Sequence, residues 1–438
     1  MKEHNDLIYK LNDQPPVWNS ILSALQWFVF TLASSLVVPV VIGKALGFSD
    51  IETATFIQRT FLFVGVASFL QVTFGHRYPV IEGPAGMWWG IFLILIQLAP
   101  TLGKTPIEIG QSLELGLIVA GLIFVILGLT GSISKIQKIF TPVITGTYMI
   151  ILAISMSSSF VKGMLGVGYQ DETIKWPIAL ISIILVSFVI FLSSRKGVFF
   201  RSFSILIGIV VGWILYAVLG LASQPSLSEN LFSFPAFFAF GPPIFDIGIV
   251  LTSVITGFIL ISNLITSISV MGVAAKVQPT ETTYNRGGIF TGIAHIFSGI
   301  GSTVGLVPLS IAAGMVNITG NAARISFILS TFMVMLLGFI PSIGFFFAAL
   351  PAPVGYAVLF TTFAQLLGFG LKDYAKISMD NHNITVIGLS LMAGIGVMFI
   401  PSESLSSLHP IFSYILGNGL ILGVILSLFL EHVVFHKK

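Results

Sequence analysis

The chain has 438 residues, of which 55% are hydrophobic and only 8% charged, and its mean hydropathy is +1.01. Soluble domains carry roughly 25% charged residues, so this composition describes an all-α polytopic membrane protein with no polar interval long enough to build a soluble core. The absence of cysteine excludes disulfides and thiolate metal sites, and the net charge of +3 sits in loops and implies no nucleic-acid partner.

Residues 1–19 are polar and read as a cytoplasmic tail rather than a signal peptide, because the first apolar run is already of span length. Crossing a bilayer takes about 20 apolar residues in a helix. Runs near that length fall at 20–42, 53–74, 112–131, 142–160, 177–193, 202–221, 247–269, 322–340, 354–371, 384–400 and 411–434. The shorter, glycine-rich run 287–300 is counted with them, because the chain must cross before Ser302.

Two further segments, 78–99 and 301–319, are broken. The first opens Tyr78-Pro79-Val80-Ile81-Glu82-Gly83-Pro84-Ala85-Gly86 and the second Gly301-Ser302-Thr303-Val304-Gly305-Leu306-Val307-Pro308-Leu309-Ser310. Irregular backbone survives at membrane depth only where protein or a water-filled cavity shelters it. Each break is expected to be a short extended piece followed by a half-helix, the first starting at Pro84 because proline suits a helix's first turn. Half-helix N-termini aim free N–H groups and a positive dipole end inward, which suits a polar ligand.

The total is 14 spans with both termini on one side. Loops on that side hold fifteen of the 20 Lys and Arg residues and the opposite loops four, with Arg59 inside the second span. The positive-inside rule then places both termini in the cytoplasm. The breaks become the third and tenth spans, in third position of two halves of seven, and an odd repeat length inverts one half relative to the other.

Glu82 is read as a proton-titrating or substrate-binding group, since ionisable residues at membrane depth are functional by default; the alternative is a structural carboxylate paired with Arg77, Arg59 or a half-helix N-terminus. Arg59 is expected to snorkel to the outer surface. His295 is a second proton-coupling candidate, or a packing histidine. Asn263 and Ser267, four apart on one helical face, can offer an amide and a hydroxyl to a heteroaromatic ligand or serve as interhelical glue. Ser302, Thr303 and Ser310 flank the second break, Gly83, Ala85 and Gly86 form the first, and glycines such as Gly305 admit close backbone approach. Trp88 and Trp89 lie too deep for an interfacial belt and either stack on a ring or pack. There is no Walker loop, metal-spaced cluster or Ser-His-Asp set, so neither enzyme activity nor a cofactor or metal is expected, and transport must run on gradients.

Several residues together carry a family resemblance. Gln26-Trp27, Val37-Val38-Pro39, Phe69-Leu70-Gln71, Gly75, Pro79-Val80 and Gly83-Pro84 resemble the first three spans of the nucleobase–ascorbate transporters, also called nucleobase:cation symporter-2. Arg286-Gly287, Gly292, Ser298-Gly299 and Val304-Gly305-Leu306-Val307 with Leu309-Ser310 resemble that family's signature region, and Asn383-Ile384, Leu389-Ser390-Leu391 and Gly394-Ile395-Gly396 its penultimate span. The resemblance implies a core domain at 20–131 and 222–340, a gate domain at 132–221 and 341–438, short strands in the third and tenth spans, and commonly a homodimer. It also implies proton-coupled uptake of a purine-, xanthine-, urate- or uracil-like heterocycle by an elevator-like motion across the cell membrane.

The site residues depart from that pattern. Trp27 replaces a family histidine, Asn263 the eighth-span glutamate, Thr266-Ser267 a Gly-Asp pair, and Ser302-Thr303 an acidic or amide residue plus asparagine; Ser310 stands for a threonine and Thr291 for an aspartate. Glu82, where the family has a neutral residue, is expected to have become the membrane carboxylate. An anion transporter of the same architecture and a non-transporting sensor remain the alternatives.

Overall fold

The computed structural model describes residues 7–137, 139–169, 173–195, 198–222, 224, 230–401, 404, 416 and 418–434. Lys2, Lys138, Lys196, Lys437 and Lys438 of the charge bias, and residues 411–415 and 417 of the last expected span, lie outside them.

Apolar runs become helices where polar start signals precede them. α1 (Val17–Ser35) runs almost directly into α2 (Val37–Ala45). Ser49 and Glu52 close a reciprocal capping box on α3 (Asp50–Thr73), which satisfies two orphan N–H groups. After β1 (Glu82–Pro84) and α4 (Gly86–Leu98), Thr105 and Glu108 repeat the box on α5 (Pro106–Leu129). α6 (Ile133–Gln137), α7 (Pro142–Met164), α8 (Trp176–Ser193) and α9 (Val198–Val218) follow. Asp246 caps α10 (Ile247–Ala274) and Thr280 caps α11 (Glu281–Ile300). Then come β2 (Leu306–Pro308), α12 (Ala312–Thr319), α13 (Arg324–Leu337), α14 (Pro341–Ala348), α15 (Ala352–Tyr374), α16 (Asn381–Gly396) and α17 (Gly419–Phe429).

Among the described residues, eight helices are long and apolar enough to cross a membrane, or nine if the bent pair α13–α14 counts as one span. Their outer faces are apolar, as a lipid solvent requires: Leu180, Ile183 and Ile184 on α8 and Met392 on α16 are exposed.

β1 and β2 pair antiparallel, with Glu82 opposite Pro308, Gly83 opposite Val307 and Pro84 opposite Leu306. Flanking bonds from Ala85 N–H to Gly305 O (3.0 Å) and from Leu309 N–H to Ile81 O (2.9 Å) extend the ladder. So two segments more than two hundred positions apart meet in the middle of the helices, and each half-helix leaves the pair where its strand ends.

The structure corrects four expectations. The first half-helix begins at Gly86, not Pro84: Pro84 is the last strand residue, since it has no N–H to give a helix or ladder and its fixed φ also suits extended backbone. The first span opens earlier than residue 20, because α1 already starts at Val17, and before it residues 8–11 lie along the end of α12, with Ile8 N–H bonded to Gly320 O and Ala322 N–H to Tyr9 O. The ninth helix of the span count is 20 residues long; Thr282, Thr283, Asn285 and Arg286 hide its first turns from a hydropathy reading. The run 322–340 ends at Leu337, and the chain bends by 83° into α14, with Pro341 in its first turn.

α5 packs on α10 and α11, and α3 on α13 and α14; α7 packs on α15, α16 and α17, and α8 on α9 and α15. Small residues allow the tightest of these crossings. A Cβ on Gly121 of α5 would stand 2.5 Å from Gly292 O of α11, so neither glycine admits a side chain.

Candidate functional site

A cavity of about 960 Å³ reaches from the strand pair to one end of the helices. Ala85, Gly86 and Met87 at the start of α4, Ser310 and Ile311 after β2, and Ser262, Asn263 and Thr266 on α10 line it. Phe30, Trp89 and Phe363 add aromatic wall, and Trp89 meets Phe363 edge-on with ring centroids 4.5 Å apart. Thr141, Thr145, Lys372, Asp373 and Lys376 also line it.

The polar groups here are few and placed by backbone. Ala85, the N-cap of α4, gives the helix no side-chain cap, so the first N–H groups of α4 start bare at the cavity. Asn263 and Ser267 do share one face of α10, and both reach the strand pair. Asn263 Nδ2 lies 3.4 Å from Pro308 O, while the Ser267 hydroxyl is 2.8 Å from Pro308 O and 2.7 Å from Ser310 Oγ. Proline's lack of a donor does not prevent its carbonyl from being the hub of this network. Ser267 thereby holds Ser310, and Asn263 and Ser310 face the cavity.

The other expected residues lie elsewhere. Ser302, with φ of 49°, turns away from the cavity; its hydroxyl donates to the Glu114 carboxylate and accepts Ala239 N–H at 2.6 Å. Thr303 closes the end of α11 through its N–H to Ser298 O at 2.8 Å. Gly305 lets the chain pass Trp88, since a Cβ there would sit 2.5 Å from Trp88 Cδ1. His295 is buried and uses both ring nitrogens: Nε2 accepts Trp88 Nε1–H at 2.6 Å, which leaves the Nδ1 hydrogen for Thr291 O at 2.7 Å. Glu82 and Gly83 do not line the cavity, and Glu82 faces His76. Arg59 does not snorkel: it is 3% exposed, lies over the Phe56 ring and is in electrostatic reach of Glu114. The cost of a buried guanidinium explains that choice, because it is offset only beside a carboxylate.

A permease-family model matches residues 19–403. The chain belongs to that family. It is 33% identical over 414 residues to "Putative purine permease YwdJ" of Bacillus subtilis, covering 93% of this chain and 94% of that one. It is 26% identical to the xanthine permease of Bacillus subtilis over 94% of this chain and 93% of that one, and 24% identical to its uric acid permease PucK over 98% of each. Among solved structures, the transmembrane domain of the cyanobacterial bicarbonate transporter BicA matches 96% of this chain and 98% of its own, at 16% identity and a TM-score of 0.62. SLC26A9 matches 96% of this chain and 66% of its own, at 13% identity and a TM-score of 0.66. These two are likenesses of fold. The protein is thus a multi-pass membrane transporter of the nucleobase–ascorbate type, not an enzyme.

Sequence reasoning missed two buried groups of this permease. Glu114 was passed over because it sits in an apolar run, although a carboxylate three residues inside such a run was itself the signal. His76, six residues before Glu82 and next to Arg77, carries no local sign of burial. Just before it, a Cβ on Gly75 would collide with Gln71, so the chain turns closely against α3 there.

Proposed function

We propose that this permease takes up a nucleobase-like heterocycle of the purine, xanthine, urate or uracil class across the cell membrane, driven by protons. The observation that carries this reading is the cavity itself. Asn263, Ser310 and the bare N–H groups of α4 offer donors and acceptors at the deep end, beside an aromatic wall of Phe30, Trp89 and Phe363, while the charged residues lie towards the other end, a composition that suits a flat polar ring. The names of the curated relatives, purine, xanthine and uric acid permeases, support the substrate class.

Substrate contacts are assigned to Ala85, Gly86, Asn263 and Ser310. Gly83, Ser267, Ser302, Thr303 and Gly305 support them from behind, and Glu82 rather than His295 handles the proton, because both His295 nitrogens are occupied. The further architecture is part of the proposal: 14 spans in inverted repeats, cytoplasmic termini, a homodimer, and a core moving against a gate. The packing of α3, α5, α10, α11 and α13 on one another, and of α7, α8, α15, α16 and α17, supports that division. Because α14 packs on α3, the second core segment extends to about residue 348. With Lys372 and Lys376 on the cytoplasmic side, the cavity faces inward.

One observation favours a second reading, an anionic cargo. The charged residues lining the cavity are Lys372, Asp373 and Lys376, and Asp373 is already engaged by Thr145 at 2.7 Å and Lys376 at 2.6 Å. Among the described residues the deep end carries no carboxylate, so an anion would meet no repelling charge there.

Thermal-shift binding on purified protein, followed by proteoliposome uptake, tests both readings with xanthine, urate, hypoxanthine, guanine, adenine, uracil and bicarbonate. A substrate stabilises the native state in proportion to ln(1 + [L]/Kd). A concentration-dependent shift with a purine or pyrimidine supports the first reading, a shift with bicarbonate alone supports the anion, and a silent panel on folded protein sinks both.

A further inference from the structure

A second polar site lies apart from the cavity, against β1. The side chains of Glu82 and His76 are both 0% exposed, and Glu82 Oε1 stands 3.7 Å from His76 Nε2. Among the described residues, neither carboxylate oxygen of Glu82 has a hydrogen-bond partner, and nor does His76 Nε2. Everything around them is fixed. Tyr78 N–H donates to His76 Nδ1 at 3.0 Å, which leaves the ring hydrogen on Nε2, towards the carboxylate. Ser68 accepts the Glu82 backbone N–H at 2.9 Å, and Gln71 spends its amide on Gly287 O and Thr291 Oγ1.

The elements packed on β1 supply no compensating charge. α1 and β2 contain no titratable residue, and α3 presents Ser68 and Gln71, with Asp50, Glu52 and Arg59 towards its other end. The loop 74–81 contributes His76, while Arg77 is exposed. An ionised carboxylate without a partner is among the costliest things to bury. A proton on the carboxylate removes that cost.

We infer that Glu82 and His76 together are the proton-binding site of this permease, apart from the substrate cavity and joined to it through β1. The inference rests on the proton-driven reading above and adds where the proton sits and how it is coupled. β1 runs on into Ala85 and Gly86, and β2, its partner, runs on to Ser310; these residues line the cavity. Loss of the proton leaves a net negative charge behind the same strand pair that substrate touches in front, so each ligand biases the position of the pair for the other. Exposed, charged Arg77 stands next to His76, and the loop that carries both is taken as the proton's route of entry. The step is proton binding from water to the pair and its release, with no other bond changed.

The site can be tested without a substrate. Infrared pH titration of the full chain in nanodiscs is expected to show a protonated-carboxyl stretching band at neutral pH that loses intensity in Glu82→Gln and whose titration midpoint shifts in His76→Gln. Glu114 is a second buried carboxyl, so Glu82 is read as the part of the band lost in Glu82→Gln; no loss of intensity in that variant, or no band in the wild type, overturns the proposal. In proteoliposomes, Glu82→Gln is expected to lose pH-gradient-driven accumulation of xanthine and keep xanthine counterflow, which also shows that the variant is folded. Accumulation retained by Glu82→Gln overturns the proposal and leaves proton symport standing. Wild-type accumulation that ignores the pH gradient overturns symport itself, and the proposal with it. Loss of xanthine binding by folded Glu82→Gln makes Glu82 a substrate ligand and overturns the separation of the two sites.

Discussion

Ser302 donates its hydroxyl to the carboxylate of Glu114, so the second backbone break is tied to a helix 188 residues earlier in the chain. The other Glu114 oxygen has no hydrogen-bond partner among the described residues, and buried Arg59 is the cation in its electrostatic reach. Removing the carboxylate leaves the buried Arg59 guanidinium without a compensating charge in reach and Ser302 without its acceptor, and both changes destabilise. Glu114→Leu is therefore expected to lower the melting temperature in detergent sharply, and Arg59→Met in the same chain to restore much of it. Additive losses in the double variant would break the assignment.

Gly305 passes against Trp88, whose indole is held by His295. Gly305→Ala should push the start of α4 away from the strand pair, an overpacking cost of about 1–3 kcal/mol. Both thermal stability and ligand binding should fall. Trimming the neighbour with Trp88→Leu should recover part of the stability but not the binding.

Asn263 and Ser310 line the cavity and each adds one bond to the network around Ser267 and Pro308 O, at 3.4 and 2.7 Å. Each hydrogen bond to a ligand is worth about 0.5–1.5 kcal/mol, so Asn263→Ala and Ser310→Ala should each weaken binding roughly threefold to tenfold. The unliganded melting temperature should barely move. Ser267→Ala, by contrast, unpins Ser310 and leaves Pro308 O short of a partner, and should lower both.

Both ring nitrogens of His295 have partners, Trp88 Nε1–H and Thr291 O, and the proposal gives it a structural role. Replacing it with Gln keeps an acceptor for Trp88 and should cost stability while leaving the pH profile of uptake unchanged. A shifted profile in folded His295→Gln would return it to the proton pathway.

Lys372 and Lys376 at the cavity carry the test of the anionic reading. Lys372→Gln with Lys376→Gln should slow urate uptake roughly threefold or more at low salt and leave neutral hypoxanthine alone. The difference should vanish at high salt.

Much of this was legible from residue order. Pro84, between Gly83 and Gly86, and Pro308, three residues after Gly305, mark the two breaks between apolar runs. The i, i+4 spacing of Asn263 and Ser267 put them on one face. What misled the reading was local too: Pro84 fits a helix start and a strand end equally well, and only its pairing opposite Leu306 decides between them.

The sequence by itself determined that this chain lives in a membrane, that its helices are interrupted at two places, and that it belongs with the nucleobase–ascorbate transporters. Those are properties of composition, short-range stereochemistry and local motif, which need no partner to be expressed. Only the tertiary structure decided which polar residues face the cavity. Ser302 turned to Glu114, His295 to Trp88 and Glu82 to His76, while Asn263 and Ser310 remained at the cavity. A buried polar group in a low-dielectric interior takes whichever partner packing brings within reach, and those partners come from segments that the sequence keeps far apart.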